Sequence, residues 1–352
     1  MKCRVIWKCI WGVAWRGGIG EGGGMKLRRL GSSGMMVSPV CLGTMTFGSP
    51  VGKEDAIRIV HGAMDLGINF IDTANVYEGY SRFQGSAGGV SEEILGAAVK
   101  GRREDVVIAT KCGAPNGEGT HDMGLAPKTI LRELDRSLKR LQTDYIDLYH
   151  VHWPDAQTPL ETVLSTMETA YRQGKIRAFG VSNHFAWQLC ELLWTADKRN
   201  WPKVVASQIP FSLLRRDYQN DLEFCRKHDI GVTPWQALQG GLLTGKYRRG
   251  QAAPAGSRMA DSSWLAEPED AVFDKIEATE ELAKEAGLSL TQYALAWALS
   301  QPAMASTIVG VKSMAQVEEA VKGASAVLSA EILERQEAIT PPPPNNAPIY
   351  GR

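Results

Sequence analysis

Between residues 27 and about 327 the chain alternates eight short apolar segments with stretches of helical periodicity, and this alternation restricts the fold more than any single motif. Short apolar runs separated by helix-length amphipathic stretches predict parallel strands covered by crossover helices. The predicted strands span 40–43, 69–72, 106–111, 146–152, 177–182, 204–208, 231–234 and 307–310. Between them, Ala56, Ile59, Val60, Ala63 and Met64 form one apolar stripe, ended by Gly67. Leu160, Val163, Leu164 and Met167 form a second, and Leu131, Leu134, Leu138 and Leu141 a narrower third. Eight such units predict an α/β fold, a single (β/α)8 TIM barrel, over residues 25–340. A hairpin around Gly31, Ser32, Ser33 and Gly34 precedes the first strand and is placed to plug the barrel floor. The stretch 240–264, after the seventh strand, exceeds ordinary loop length, which points to a functional loop or disorder.

The ends of the chain differ from this pattern. Over residues 1–24, Trp7, Trp11 and Trp15 alternate with basic residues and lead into a glycine tract. Gly18, Gly20 and Gly23 match GxGxxG, but no apolar helix follows to present its N-terminus to a pyrophosphate, so the match is compositional. No apolar run there reaches membrane-spanning length, and no small-residue cleavage site marks a signal peptide. The expectation is a disordered extension, with Met25 as the working start. At the other end Pro341 to Pro344 open an extended tail over 341–352.

Composition then removes several classes of function. Lysine plus arginine total 39, as do aspartate plus glutamate, so nothing recommends nucleic acid or a membrane surface as partner. Six cysteines, without a CxxC pair, fit reduced thiols in a cytoplasmic protein and give no structural metal site.

Four residues stand at or just beyond the C-terminal ends of successive predicted strands: Asp72, Tyr77, Lys111 and His152. In a barrel those ends converge on one face, so side chains distant in sequence meet around one substrate. Their types suit reduction of a carbonyl. Each has a plainer role: a half-buried tyrosine, a solvated lysine, a structural histidine. His150 and His152 at spacing two also share a strand face and raise the rival of a metal hydrolase, with His184 as third ligand.

In order and spacing FIDTANVYEG, IATK, DLYHVHWPD and GVSNH resemble the signatures of the aldo-keto reductase family, and the resemblance runs from about Lys26 to Val321. It implies a (β/α)8 barrel, a nicotinamide cofactor held without a Rossmann fold, and Asp72, Tyr77, Lys111 and His152 as a catalytic tetrad. The chemistry of these groups agrees with that implication. Hydride arriving at a carbonyl carbon leaves charge on the oxygen, which a positioned acid must neutralise. Tyr77 is the candidate acid, with Lys111 expected to lower its phenol from about 10. Asp72 would hold the ammonium, and His152 would orient the carbonyl.

The resemblance also assigns cofactor contacts. Gly43 at the end of the first strand, Thr44 and Met45 just beyond it, and Asp72 are assigned to the cofactor. Ser182, Asn183 and Gln208 look like carboxamide-binding groups, and Phe211 occupies the place of a stacking aromatic, usually tyrosine. The run from Leu238 to Tyr247, with Gly240, Leu242, Gly245 and Lys246, is similar to a pyrophosphate loop. Gly310, Lys312, Ser313, Gln316 and Glu319 fall in the adenosine-end segment, where Lys312 and Ser313 suit a 2′-phosphate and favour NADPH, with NADH open. Two departures weigh on that preference: Gln316 stands where some members have arginine, and Ala320 where an asparagine commonly meets the adenine. Tyr80, Phe83, Trp153 and Trp235 are expected to line the substrate pocket, and Arg82 hints at a polar or anionic substrate. The sequence therefore predicts a cytoplasmic reductase of small-molecule carbonyls or alcohols. The alternative within the same resemblance is a cofactor-binding partner or redox sensor like the channel β-subunits, which share this fold. Oligomeric state is not legible.

Overall fold

A computed structural model describes residues 25–261 and 265–344. The expected N-terminal extension and residues 345–352 of the tail lie outside them. The hairpin comes first, with β1 (Arg28–Arg29) antiparallel to β2 (Met36–Val37). Eight parallel strands follow: β3 (Val40–Gly43), β4 (Phe70–Asp72), β5 (Val107–Cys112), β6 (Ile146–Val151), β7 (Ile176–Ser182), β8 (Ala206–Gln208), β9 (Gly231–Val232) and β10 (Thr307–Gly310). They pair in the order β10-β3-β4-β5-β6-β7-β8-β9. Backbone bonds from Val232 N–H to Ala303 C=O (2.8 Å) and from Ile308 N–H to Pro234 C=O (3.0 Å) join the two outer strands, as the predicted (β/α)8 barrel requires.

Helices fill the connections: α1 (Lys53–Asp65), α2 (Val90–Ala98), α3 (Pro127–Leu141), α4 (Leu160–Arg172), α5 (Ala186–Arg199), α6 (Leu222–Lys227), α7 (Arg258–Asp261), α8 (Asp270–Glu285), α9 (Leu290–Ser300), α10 (Met314–Ser325) and α11 (Ala330–Ile339). Their sequence logic is visible in α1, where Glu54 and Asp55 meet the positive N-terminus and Ala56, Ile59, Val60 and Ala63 are buried. The helix ends at Gly67, whose φ of 86° suits only glycine comfortably. In α9 a capping box of Ser289 and Gln292 sets the start, and eight of its eleven residues are buried. Such a helix is held by packing on every side rather than by one stripe.

Two residue layers inside the cylinder explain how it positions a site. Cys41, Phe70, Ala109, Leu148, Ala178 and Ala206, one from each of six strands, pack with Leu30 and Val37 of the hairpin into a separate apolar cluster. The hairpin therefore plugs the floor. Gly31 makes this approach possible: its φ is 51°, and a Cβ there would lie 2.2 Å from the carbonyl oxygen of Val205. Because side chains on a strand alternate with period two, the next inward residues are Gly43, Asp72, Lys111, His150, Gly180 and Gln208. The floor is apolar and the layer above it is polar.

Candidate active site

The loop after β4 bends over β5 and carries Tyr77 back toward the strand ends. Its backbone keeps bonding to the neighbour strand, with Thr73 N–H on Ala109 C=O (2.8 Å) and Asn75 N–H on Lys111 C=O (3.2 Å). Lys111, fully buried, uses all three ammonium protons. It donates to Asp72 Oδ1 at 2.6 Å, to Thr73 C=O at 2.7 Å and to the Tyr77 hydroxyl at 3.3 Å. The second Asp72 oxygen accepts from Gln208 Nε2 at 2.8 Å. The His152 ring stands edge-on to Tyr77, centroids 5.9 Å apart, and its Nδ1 has no hydrogen-bond partner among the described residues. The sequence-predicted group of four is thus one cluster at the barrel mouth.

The electrostatics correct one expectation. Burial pushes the Tyr77 phenol above its ordinary value; the Lys111 ammonium pulls it down, Asp72 pushes it up again, and the net direction is upward. The expected lowering by Lys111 is present but outweighed, first by burial of the phenol and then by the opposing charge of Asp72. Burial lowers Lys111, but Asp72 and Tyr77 raise it further, so it stays charged. Burial first, then Lys111, His150 and Arg82, hold His152 well below the usual imidazole range. At neutral pH the mouth therefore presents a protonated phenol and a neutral imidazole.

A chain of hydrogen bonds extends from this cluster across the next strands. Trp235 Nε1 donates to Asn183 Oδ1 (3.2 Å), and Asn183 Nδ2 donates to Ser182 Oγ (3.0 Å) and to the His152 carbonyl (2.9 Å). Ser182 Oγ donates to the Gln208 carbonyl at 2.9 Å, and Gln208 reaches Asp72. Asn183 holds φ at 63° to do this, a conformation asparagine tolerates better than most residues. Trp153 stacks on His152 (6.1 Å, 10°) and meets Trp235 edge-on (6.5 Å, 79°).

Three side chains fall elsewhere than expected. Phe211 is fully buried with its ring stacked on Trp297 at 5.5 Å, so it has no open face for a nicotinamide; Trp235, bonded to Asn183, is the aromatic that borders the mouth. Tyr80 lies beneath Lys312 (5.0 Å) and Arg258 (5.9 Å), beside the adenosine-end segment rather than in the Tyr77 pocket. Glu319 accepts from Ser289 Oγ and, at 2.9 Å, from Gln292 Nε2, which ties α10 to the cap of α9. The other assigned residues lie as follows. Gly43, Thr44 and Met45 close β3, with Thr44 Oγ1 on the Asp72 carbonyl (3.0 Å). Leu238 to Lys246 form a tight turn with φ of 66° at Gly240, 103° at Gly241 and 75° at Gly245, and Leu242 is buried beneath it. Gly310 pairs with Gly43 across two adjacent strand ends. Lys312 Nζ donates to the Gly256 carbonyl (2.8 Å), its backbone N–H to Gln316 Oε1 (2.7 Å), and Ser313 is exposed. Phe83 is 69% exposed and Trp153 47%. Among the described residues no three histidine, cysteine or acidic side chains gather as for a metal; His184 Nδ1 instead bonds the Ser182 carbonyl at 2.8 Å.

Sequence reasoning missed the carboxylates beneath the Tyr77 loop. Glu133 of α3 is buried and accepts from Asn75 (3.0 Å), Asn116 and Arg136 (2.9 Å). Glu92 of α2, also buried, binds Thr110 (2.5 Å) and Arg140 (2.7 Å). Both lie on helix faces that an apolar stripe would assign to the core, and an acidic residue on such a face was the available signal.

Fold and mouth together define a barrel protein that gathers its polar groups at the C-terminal ends of parallel strands, where barrel enzymes build their sites. The family model described as "Aldo/keto reductase family" matches residues 39–340. The chain belongs to that family of oxidoreductases. Curated relatives include "Uncharacterized oxidoreductase YrpG" of Bacillus subtilis (strain 168), 38% identical over 332 residues and covering 92% of this chain and 98% of that protein. "Protein tas" of Escherichia coli (strain K12) is 36% identical over 340 residues, covering 90% and 97%. A "Probable voltage-gated potassium channel subunit beta" of Arabidopsis thaliana is 34% identical over 339 residues, covering 93% and 100%.

Proposed function

We propose that the protein is a cytoplasmic, NADPH-dependent reductase of aldehydes or ketones, able to run the reverse oxidation of an alcohol. The observation that carries this reading is the buried Lys111 ammonium, bonded at once to Asp72 and to the Tyr77 hydroxyl. The cofactor, when bound, supplies the hydride. The residues present fit it: amide and hydroxyl groups of Ser182, Asn183 and Gln208 suit a carboxamide, and the turn of Gly240, Gly241 and Gly245 beside Lys246 lets a backbone approach a pyrophosphate. Lys312 and Ser313 suit a 2′-phosphate.

Tyr77 gives its proton to the carbonyl oxygen as charge develops there, and Lys111 stabilises the resulting phenolate. Asp72 keeps the ammonium charged and aimed. His152, neutral, donates a hydrogen bond to the carbonyl oxygen, and Trp153 and Trp235 exclude water from one side. Exchange Tyr77→Phe leaves the packing and removes the proton. Turnover is expected to fall about 10²- to 10⁴-fold, with NADPH binding, followed by tryptophan fluorescence, retained; near-normal turnover would dismiss Tyr77 as the acid.

A second reading follows from the relative named as a potassium channel subunit: a cofactor-binding partner that turns over little. Steady oxidation of NADPH by simple aldehydes distinguishes the two.

A further inference from the structure

Arg82 follows Tyr77 by five residues, and its guanidinium bridges two loops of the mouth. It donates to the carbonyl of Val76, next to Tyr77, and to that of Pro115, in the loop after β5. Neutral carbonyls hold the group in place without cancelling its charge. No carboxylate of the described residues forms an ion pair with Arg82, whereas Arg132 and Arg136 pair with Glu133 and Arg140 with Glu92. Its field reaches the reacting end, where it is one of the charges acting on His152. A guanidinium has five N–H donors, so three remain after the two carbonyls are served.

Aromatic rings gather around His152. Trp153 continues the stack on His152, Trp235 meets it edge-on, and Phe83 stands exposed beside Arg82 in the chain. Arg215 is paired with Asp217 (3.1 Å), and Lys312 stands over Tyr80 on the adenosine-end side. A guanidinium held by carbonyls alone can take one anionic partner.

We propose that the substrates are carbonyl compounds bearing a carboxylate on a planar apolar body, the carboxylate bound by Arg82 and the body laid against Trp153. This inference rests on the reading of Tyr77 and His152 as the carbonyl site. Binding of a carboxylate by a guanidinium in planar, two-point geometry is the strong form of this interaction, and it orders the carbonyl without touching it.

The test compares 3- and 4-carboxybenzaldehyde with their methyl esters, in kcat/KM with NADPH, for the wild-type protein and for Arg82→Met and Arg82→Lys. At least one acid is expected to exceed its ester by about tenfold or more. The acid-to-ester ratio should fall to near one in Arg82→Met and be partly restored in Arg82→Lys. The ratio is insensitive to any general loosening of the two loops. No preference in the wild type, or one that survives Arg82→Met, overturns the proposal while leaving the reductase reading intact. Failure to reduce any of the four aldehydes, or unsubstituted benzaldehyde, removes the reductase reading. Quenching of tryptophan fluorescence by 3- and 4-carboxybenzyl alcohol then decides anion binding on its own: Arg82-dependent saturation supports the carboxylate subsite, and none overturns it.

Discussion

The floor and the mouth of the cylinder lie one inward layer apart and are built on opposite terms. At the floor, Phe70, Ala109, Leu148 and their neighbours meet Leu30 and Val37 with no hydrogen bond needed; apolar area removed from water holds this layer together. Two residues further along the same strands, Asp72 and Lys111 are equally buried but charged. Their desolvation is offset only because each proton and each oxygen finds a partner. A layer of the first kind tolerates replacement that conserves volume. A layer of the second kind fails when one member is lost, and that fragility is what chemistry uses.

The comparison can be broken by one substitution in each layer. Lys111→Met keeps length and removes charge, stranding Asp72 with a single donor. It is expected to lower kcat about 10²- to 10⁴-fold and to destabilise the fold by about 3–5 kcal/mol, read by NADPH-coupled assay and urea unfolding. Phe70→Ala, in the floor, should cost a similar ~3–5 kcal/mol through its cavity, with kcat per folded molecule changed less than about threefold. If Phe70→Ala lowered kcat as much as Lys111→Met, the two layers would not be separable.

Much of this division was written in the chain. Strand alternation placed Asp72 and Lys111 inside, and the positions of the eight strands came from apolar runs whose lengths a helix cannot match. The strand 146–152 ended one residue early, at Val151, which puts His152 just beyond the ladder. Phe211 and Tyr80 were misplaced because an aromatic after a strand has no periodicity to say which way it faces; packing on Trp297 decides the first and two cations the second. The direction of the Tyr77 shift was also beyond reach, since it depends first on how completely the fold buries the phenol and only then on Asp72 opposing Lys111. Glu133 escaped notice because its place on a core-facing helix face signals burial, while its partners Asn75 and Asn116 converge only in the fold.

Glu133 lies between the two extremes, a charge inside the helix layer that supports the mouth through Asn75. Glu133→Gln preserves shape and weakens the bonds to Asn75, Asn116 and two arginines. A loss of about 1–3 kcal/mol is expected, with kcat falling less than tenfold because Tyr77 is reached only through the loop. A fall as large as that of Lys111→Met would place Glu133 among the groups that stabilise the ammonium itself.

The smallest effect separates the layers by pH. Burial lowers His150 to about 3 and His184 to about 4, and His152 lies well below its ordinary value, whereas unfolded rings titrate near 6.5. Between about pH 6.5 and 4.5 the unfolded chain takes up protons that the native rings refuse. Stability is therefore fully present above about 6.5 and declines as the solution is acidified, at up to about 1.4 kcal/mol per pH unit for each ring. His184→Gln should make that decline shallower, because it removes one ring that must stay uncharged. Phe70→Ala should lower the whole curve without changing its slope, since the floor holds no group that titrates in this window. Urea midpoints measured across it test both, and a slope untouched by His184→Gln would mean that this ring is protonated as readily in the fold as out of it.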